Sequence, residues 1–132
     1  MSVIKEIQAI TSWYGNGGYQ KSSLVELQNS KSKLLTLCIT FADEVASAKK
    51  DSLVSTVFRK VDHHKIKSRL IDEGLGLGIS ETKAMEENAE KMRIEAEHEA
   101  LSYYYSQVLR TCYMIAQDIT QRISILRLEL AN

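Results

Sequence analysis

The sequence predicts an all-α protein: a long antiparallel, coiled-coil-like helical hairpin with a short N-terminal helix packed at its base, completed by oligomerisation. Three observations predict it. The chain has 132 residues and no proline. From Ser80 to Leu130 it runs without glycine and is rich in Ala, Glu, Met, Leu and Arg. Apolar residues return every three or four positions in two separate stretches, the spacing of a helix that faces another helix.

In chain order, Val3, Ile4, Ile7 and Ile10 lie on one side of a short helix over 2–13. Trp13 and Tyr14 lead into Gly15-Asn16-Gly17-Gly18, a breaker cluster, so 14–22 is expected to be a glycine-rich loop. Its flanking aromatics Trp13, Tyr14 and Tyr19 read either as a binding surface or as side chains that pin the short helix onto the long ones. A second helix is expected over 23–72, opened by Ser23 and Glu26 at capping-box spacing. Its seam is Leu24, Leu27, Lys31, Leu34, Cys38, Phe41, Val45 and Ala48. The signal weakens at 49–52, where a break is considered, and resumes with Leu53, Val57, Val61, Ile66 and Leu70. Gly74, Gly76 and Gly78 mark a turn over 74–79.

Ser80 is the expected N-cap of a single helix over 80–130, with Glu81 at the positive end of its dipole. Its seam is Met85, Ala89, Met92, Ala96 and Ala100, then Leu101, Tyr105, Val108, Cys112, Ile115, Ile119, Ile123, Leu126 and Leu130. Tyr104, Leu109, Tyr113, Met114, Ile125 and Leu128 lie off that seam, and so wide an apolar girth calls for more than one partner helix. A fold-back near residue 75 makes facing numbers total about 150, which sets Cys38 at the level of Cys112. The charges agree. Residues 59–69 hold five bases against one acid, and residues 81–99 hold seven glutamates against three bases. The chain as a whole balances 17 bases against 17 acids, so bulk charge selects neither nucleic acid nor membrane.

The chemical candidates are few. Arg59, Lys60, Lys65, Lys67 and Arg69 could contact phosphates, and Tyr103, Tyr104 and Tyr105 could stack bases. Three consecutive tyrosines point to different sides of a helix, and Tyr105 is the one expected in the core. Glu95 and His98 have the spacing of a carboxylate-bridged metal pair, but the rest of such a set is missing. His63 and His64 are adjacent and project about 100° apart, so they do not chelate one ion. Cys38 and Cys112 have no histidine at a catalytic spacing, and the glycine turn lacks the Lys-Ser/Thr of a phosphate loop. The expectation is a protein that is not an enzyme and needs no cofactor or metal. With no basic region ahead of an apolar core at the N-terminus, and two cysteines, a reducing cytoplasm is expected.

The basic end Lys67-Ser68-Arg69-Leu70-Ile71, the glycine turn, the Ala/Glu-rich helix and the run Ile119-Thr120-Gln121-Arg122-Ile123-Ser124-Ile125-Leu126-Arg127 resemble small helical accessory proteins of bacteriophages. That resemblance implies a protein acting in a bacterial host cell, on a host or phage protein or in phage DNA metabolism. The favoured expectation is a protein-protein interaction module and homo-oligomer, contacting its partner through Trp13, Tyr14, Tyr19, Tyr103 and Tyr104. The competing one is a DNA- or RNA-binding accessory factor using the bases of 59–69.

Overall fold

The structure, a computed structural model, describes residues 2–131. Met1 and Asn132, the ends of the single domain expected from the sequence, lie outside the described residues. Five helices follow one another: α1 (Val3–Gly15), α2 (Gly18–Lys21), α3 (Leu24–Asp72), α4 (Leu77–Glu87) and α5 (Ala89–Ala131). The described residues contain no strand. They divide into two compact units, one of the residues up to Val45 with those from Tyr105 on, the other Ala46–Tyr104.

In the first unit three apolar stripes share one core. Ile7 and Ile10 come from α1; Leu27, Leu34, Leu37, Cys38, Phe41 and Val45 from α3; Cys112, Ile115, Ala116, Ile119 and Ile123 from α5. Tyr105 packs against this core with its ring 5.0 Å from that of Phe41. Ser2 caps α1 by accepting from the Lys5 amide, and Ser23 does the same for the Glu26 amide at the start of α3. The expected loop 14–22 holds the short helix α2, entered through Gly17 at a left-handed φ of 79°.

Cys38 and Cys112 are free thiols, fully buried in this core. Burial pushes the Cys112 thiol up to about 12, with Cys38 adding to the effect, and it raises Cys38 as well. A thiol that resists ionisation is a poor nucleophile, and both side chains belong to the core cluster.

In the second unit α3 is helical straight through 49–52, where the sequence left room for a break. Residues there lose their apolar stripe, but Lys49 and Lys50 favour helix, and no glycine or proline interrupts the run. α3 ends in a Schellman turn. Gly74 has a φ of 93°, its amide bonds to the Ile71 carbonyl, and the Leu75 amide reaches Leu70.

Two expectations need correction here. The N-cap of α4 is Gly76, not Ser80; Ser80 sits inside the helix, fully buried, its amide on the Gly76 carbonyl. The helix expected over 80–130 is divided at Asn88, which has a φ of −97° and a ψ of 6°. Asn88 is 2% exposed and its amide nitrogen donates to the Arg59 carbonyl at 2.9 Å. The backbone bonds from the Asn88 amide to Ala84 and from the Met92 amide to Asn88 persist, so the division is a local change of backbone angle.

Candidate functional site

A set of polar contacts joins α3 to α4 and α5 in the second unit. Arg59 clamps Glu95 with two bonds, Nε to Oε2 at 2.5 Å and Nη2 to Oε1 at 3.3 Å. Glu95 holds the Arg59 guanidinium more firmly protonated than usual. Lys91 pairs with Asp62, and Ser55 bonds to His98 Nδ1. Glu81 takes Lys67 at 2.9 Å and lies 2.9 Å from His63 Nε2. The Lys67 bond is the main reason its carboxyl sits below the usual range. Arg69 reaches Glu87 at 2.7 Å and Glu73 at 3.7 Å.

Several large apolar side chains of the same unit point outward, although Leu70 is buried. Leu53, Val54, Val57, Phe58 and Val61 on α3 are 41–69% exposed, and Ile94 and Leu101 on α5 are 36% and 44% exposed. Leu53, Val57 and Val61 were read from the sequence as the continuation of the inward seam. They are not: the side of α3 that faces α5 carries Ser55, Arg59 and Asp62 instead. Phe58 and Ile94 share one groove of about 190 Å³, with Ser55, Arg59 and Lys91 in its walls. Val54, Phe58 and Val61 at steps of four and three therefore make one face with Ile94 and Leu101, which are two turns apart.

The nominated aromatics fall in both units. Trp13, Tyr14 and Tyr19 gather in the first, all half-buried against its core. Tyr14 and Tyr19 stack with ring centroids 4.7 Å apart. The Tyr14 hydroxyl donates to the Asp118 carboxylate, and that bond, aided by burial, pushes Tyr14 up to about 12. Beside them lies a cleft of about 490 Å³ lined by Tyr19, Gln20, Asp118, Gln121, Arg122 and Ile125. Asp118 and Arg122 are one turn apart on α5 but form no ion pair, and the buried Arg122 Nε has no hydrogen-bond partner among the described residues. Tyr103 and Tyr104 belong to the second unit and are 67% and 46% exposed.

Of the five nominated bases, Arg59, Lys67 and Arg69 hold glutamates, while Lys60 and Lys65 are exposed and make no ion pair among the described residues. Glu95 and His98 are engaged by Arg59 and Ser55, and the described residues contain no group of three or more potential metal ligands. No described helix is long and apolar enough to cross a membrane.

Compared with protein-family models, curated proteins and solved structures, the chain matches none. The site rests on its own geometry. Val54, Phe58, Asp118 and Arg122 were not singled out in the sequence. Phe58 immediately after Val57 was the available signal for the first pair, and the i, i+4 spacing of Asp118 and Arg122 for the second.

The Tyr14–Asp118 bond has a testable pH signature. A phenol held at about 12 in the fold and near 10 when unfolded contributes stability that is full below pH 10 and is lost as pH rises through 12. Titration of near-ultraviolet absorbance should show one tyrosine ionising about two units late. Tyr14→Phe should remove that late step and lower stability by about 1 kcal/mol. A titration unchanged by Tyr14→Phe would disprove the assignment.

Proposed function

We propose that the protein is a non-enzymatic helical interaction module whose contact surface is the outward apolar face of the Ala46–Tyr104 unit. One observation carries this reading: α3 meets α5 in this unit through polar pairs, while Leu53, Val54, Val57, Phe58 and Val61 of α3 and Ile94 and Leu101 of α5 stay exposed. Solvent does not favour a contiguous apolar patch of this kind, and such patches mark surfaces that another macromolecule covers. In this reading α3 and α5 form an antiparallel, coiled-coil-like hairpin with α1 at its base, completed by self-association. The engagement of Arg59, Lys67 and Arg69 by glutamates favours a protein partner over nucleic acid. The buried, hard-to-ionise thiols support a role without covalent catalysis. The likeness of 119–127 to phage accessory proteins supports a place among such proteins, acting on a host or phage protein in the bacterial cytoplasm.

The test is photocross-linking in bacterial lysate. Benzoylphenylalanine in place of Phe58 should give an adduct with a polypeptide, and the same group at exposed Lys33 should not. No adduct at Phe58, or equal adducts at both positions, would overturn the proposal.

A further inference from the structure

We infer that the occupant of this face is a second copy of the chain, laid so that α3 of each copy runs antiparallel along α5 of the other. The inference rests on the interaction reading above and names its partner.

The register follows from the unit itself. Its α3–α5 contacts join residues whose numbers total 153 or 154: Ser55 with His98, Arg59 with Glu95, Asp62 with Lys91. A two-fold axis parallel to the helices leaves every residue at its own level. It brings α3 of one copy over α5 of the other with nearly the same totals. Phe58 then meets the partner's Ile94, and Val54 meets the partner's Leu101. Ten large apolar side chains, five from each copy, leave water together.

Charge suits this arrangement. Lys65 lies one turn beyond Val61 on the same face, exposed and without an ion pair among the described residues. At its level on α5 is Glu90, one turn before Ile94. Glu90 and Glu97 share the single guanidinium of Arg93, so this edge stays negative. The crossing therefore sets Lys65 against the partner's Glu90, twice per dimer. The other two-fold packing, with its axis across the helices, lays α3 on α3 about Phe58. That packing sets Lys65 at the level of the partner's Asp51, and so takes it away from the partner's Glu90.

Sedimentation equilibrium of the full chain tests the inference. The unaltered protein should show a monomer–dimer equilibrium. Phe58→Glu should raise the dimer Kd at least about 100-fold, because it places a charge at the centre of the dry contact. Lys65→Glu should raise it about tenfold through two repulsive pairs, as should Glu90→Lys. The two reversals combined should restore the original Kd within about threefold. Lys65 and Glu90 are both exposed, so these variants keep the fold, and helical circular dichroism confirms it. A dimer indifferent to Phe58→Glu, or reversals that fail to rescue each other, would overturn the inference. So would a chain that is monomeric throughout. If that monomer still gives the Phe58 photoadduct with other polypeptides, the interaction reading stands and only the second copy is lost. If it gives none, both fall.

Discussion

Replacing Phe41 by alanine should lower the unfolding free energy by about 3–5 kcal/mol. Phe41 has no solvent exposure and lies where the stripes of α1, α3 and α5 meet. Its ring also tilts 57° against that of Tyr105, an edge-on contact of the kind worth about 1 kcal/mol beyond area alone. Alanine would leave a hole that three helices cannot close without moving their backbones, so the cavity adds to the lost transfer energy. Urea unfolding followed by circular dichroism reads the effect as a lower midpoint with an unchanged slope. A loss under about 1 kcal/mol would mean that the core is looser than its zero exposure implies.

Gly18→Ala should cost about 1–3 kcal/mol and displace the chain's one tryptophan. A methyl group on Gly18 would overlap the Trp13 indole at Cδ1 and Nε1 and lie 2.9 Å from the Trp13 carbonyl oxygen. The ring can swing away. The carbonyl belongs to the last turn of α1 and cannot move without disturbing that turn. Tryptophan emission should shift to longer wavelength as the indole leaves its half-buried seat, with a parallel loss in thermal stability. Unchanged emission and melting would place Trp13 elsewhere. Gly15→Ala is the control, since a methyl there meets nothing within 4 Å.

Much of the architecture was legible because helix-on-helix packing writes itself as three-and-four spacing. Leu27, Leu34, Cys38, Phe41 and Val45 were readable as a seam, and all are buried. Cys38 and Cys112, expected at one level, share the core of the first unit. Spacing identifies a stripe but not what covers it. Leu53, Val57 and Val61 have the same steps as a seam, and the polar side of α3 was free to turn inward only because Glu95, Lys91 and His98 were waiting opposite. No local pattern carries that information. Asn88 is a similar case: asparagine in a run of good helix formers reads as a mild defect, and its role depends on the Arg59 carbonyl 29 residues away. The tyrosine cluster was half readable. The glycines announced a reversal, but the partner of Tyr14 lies 104 residues on.

The second unit buries few side chains: Ala48, Leu70 and Ala84 among apolar residues, Ser80 and Asn88 among polar ones. Its backbone amides are thus guarded by helical hydrogen bonds with little packed weight behind them, and such segments open at a small fraction of the global unfolding free energy. Deuterium uptake across residues 46–104 becomes a gauge of occupancy. The segment exchanges fast when its outer face is bare and slows as that face is covered, in proportion to how much of the occupant is present.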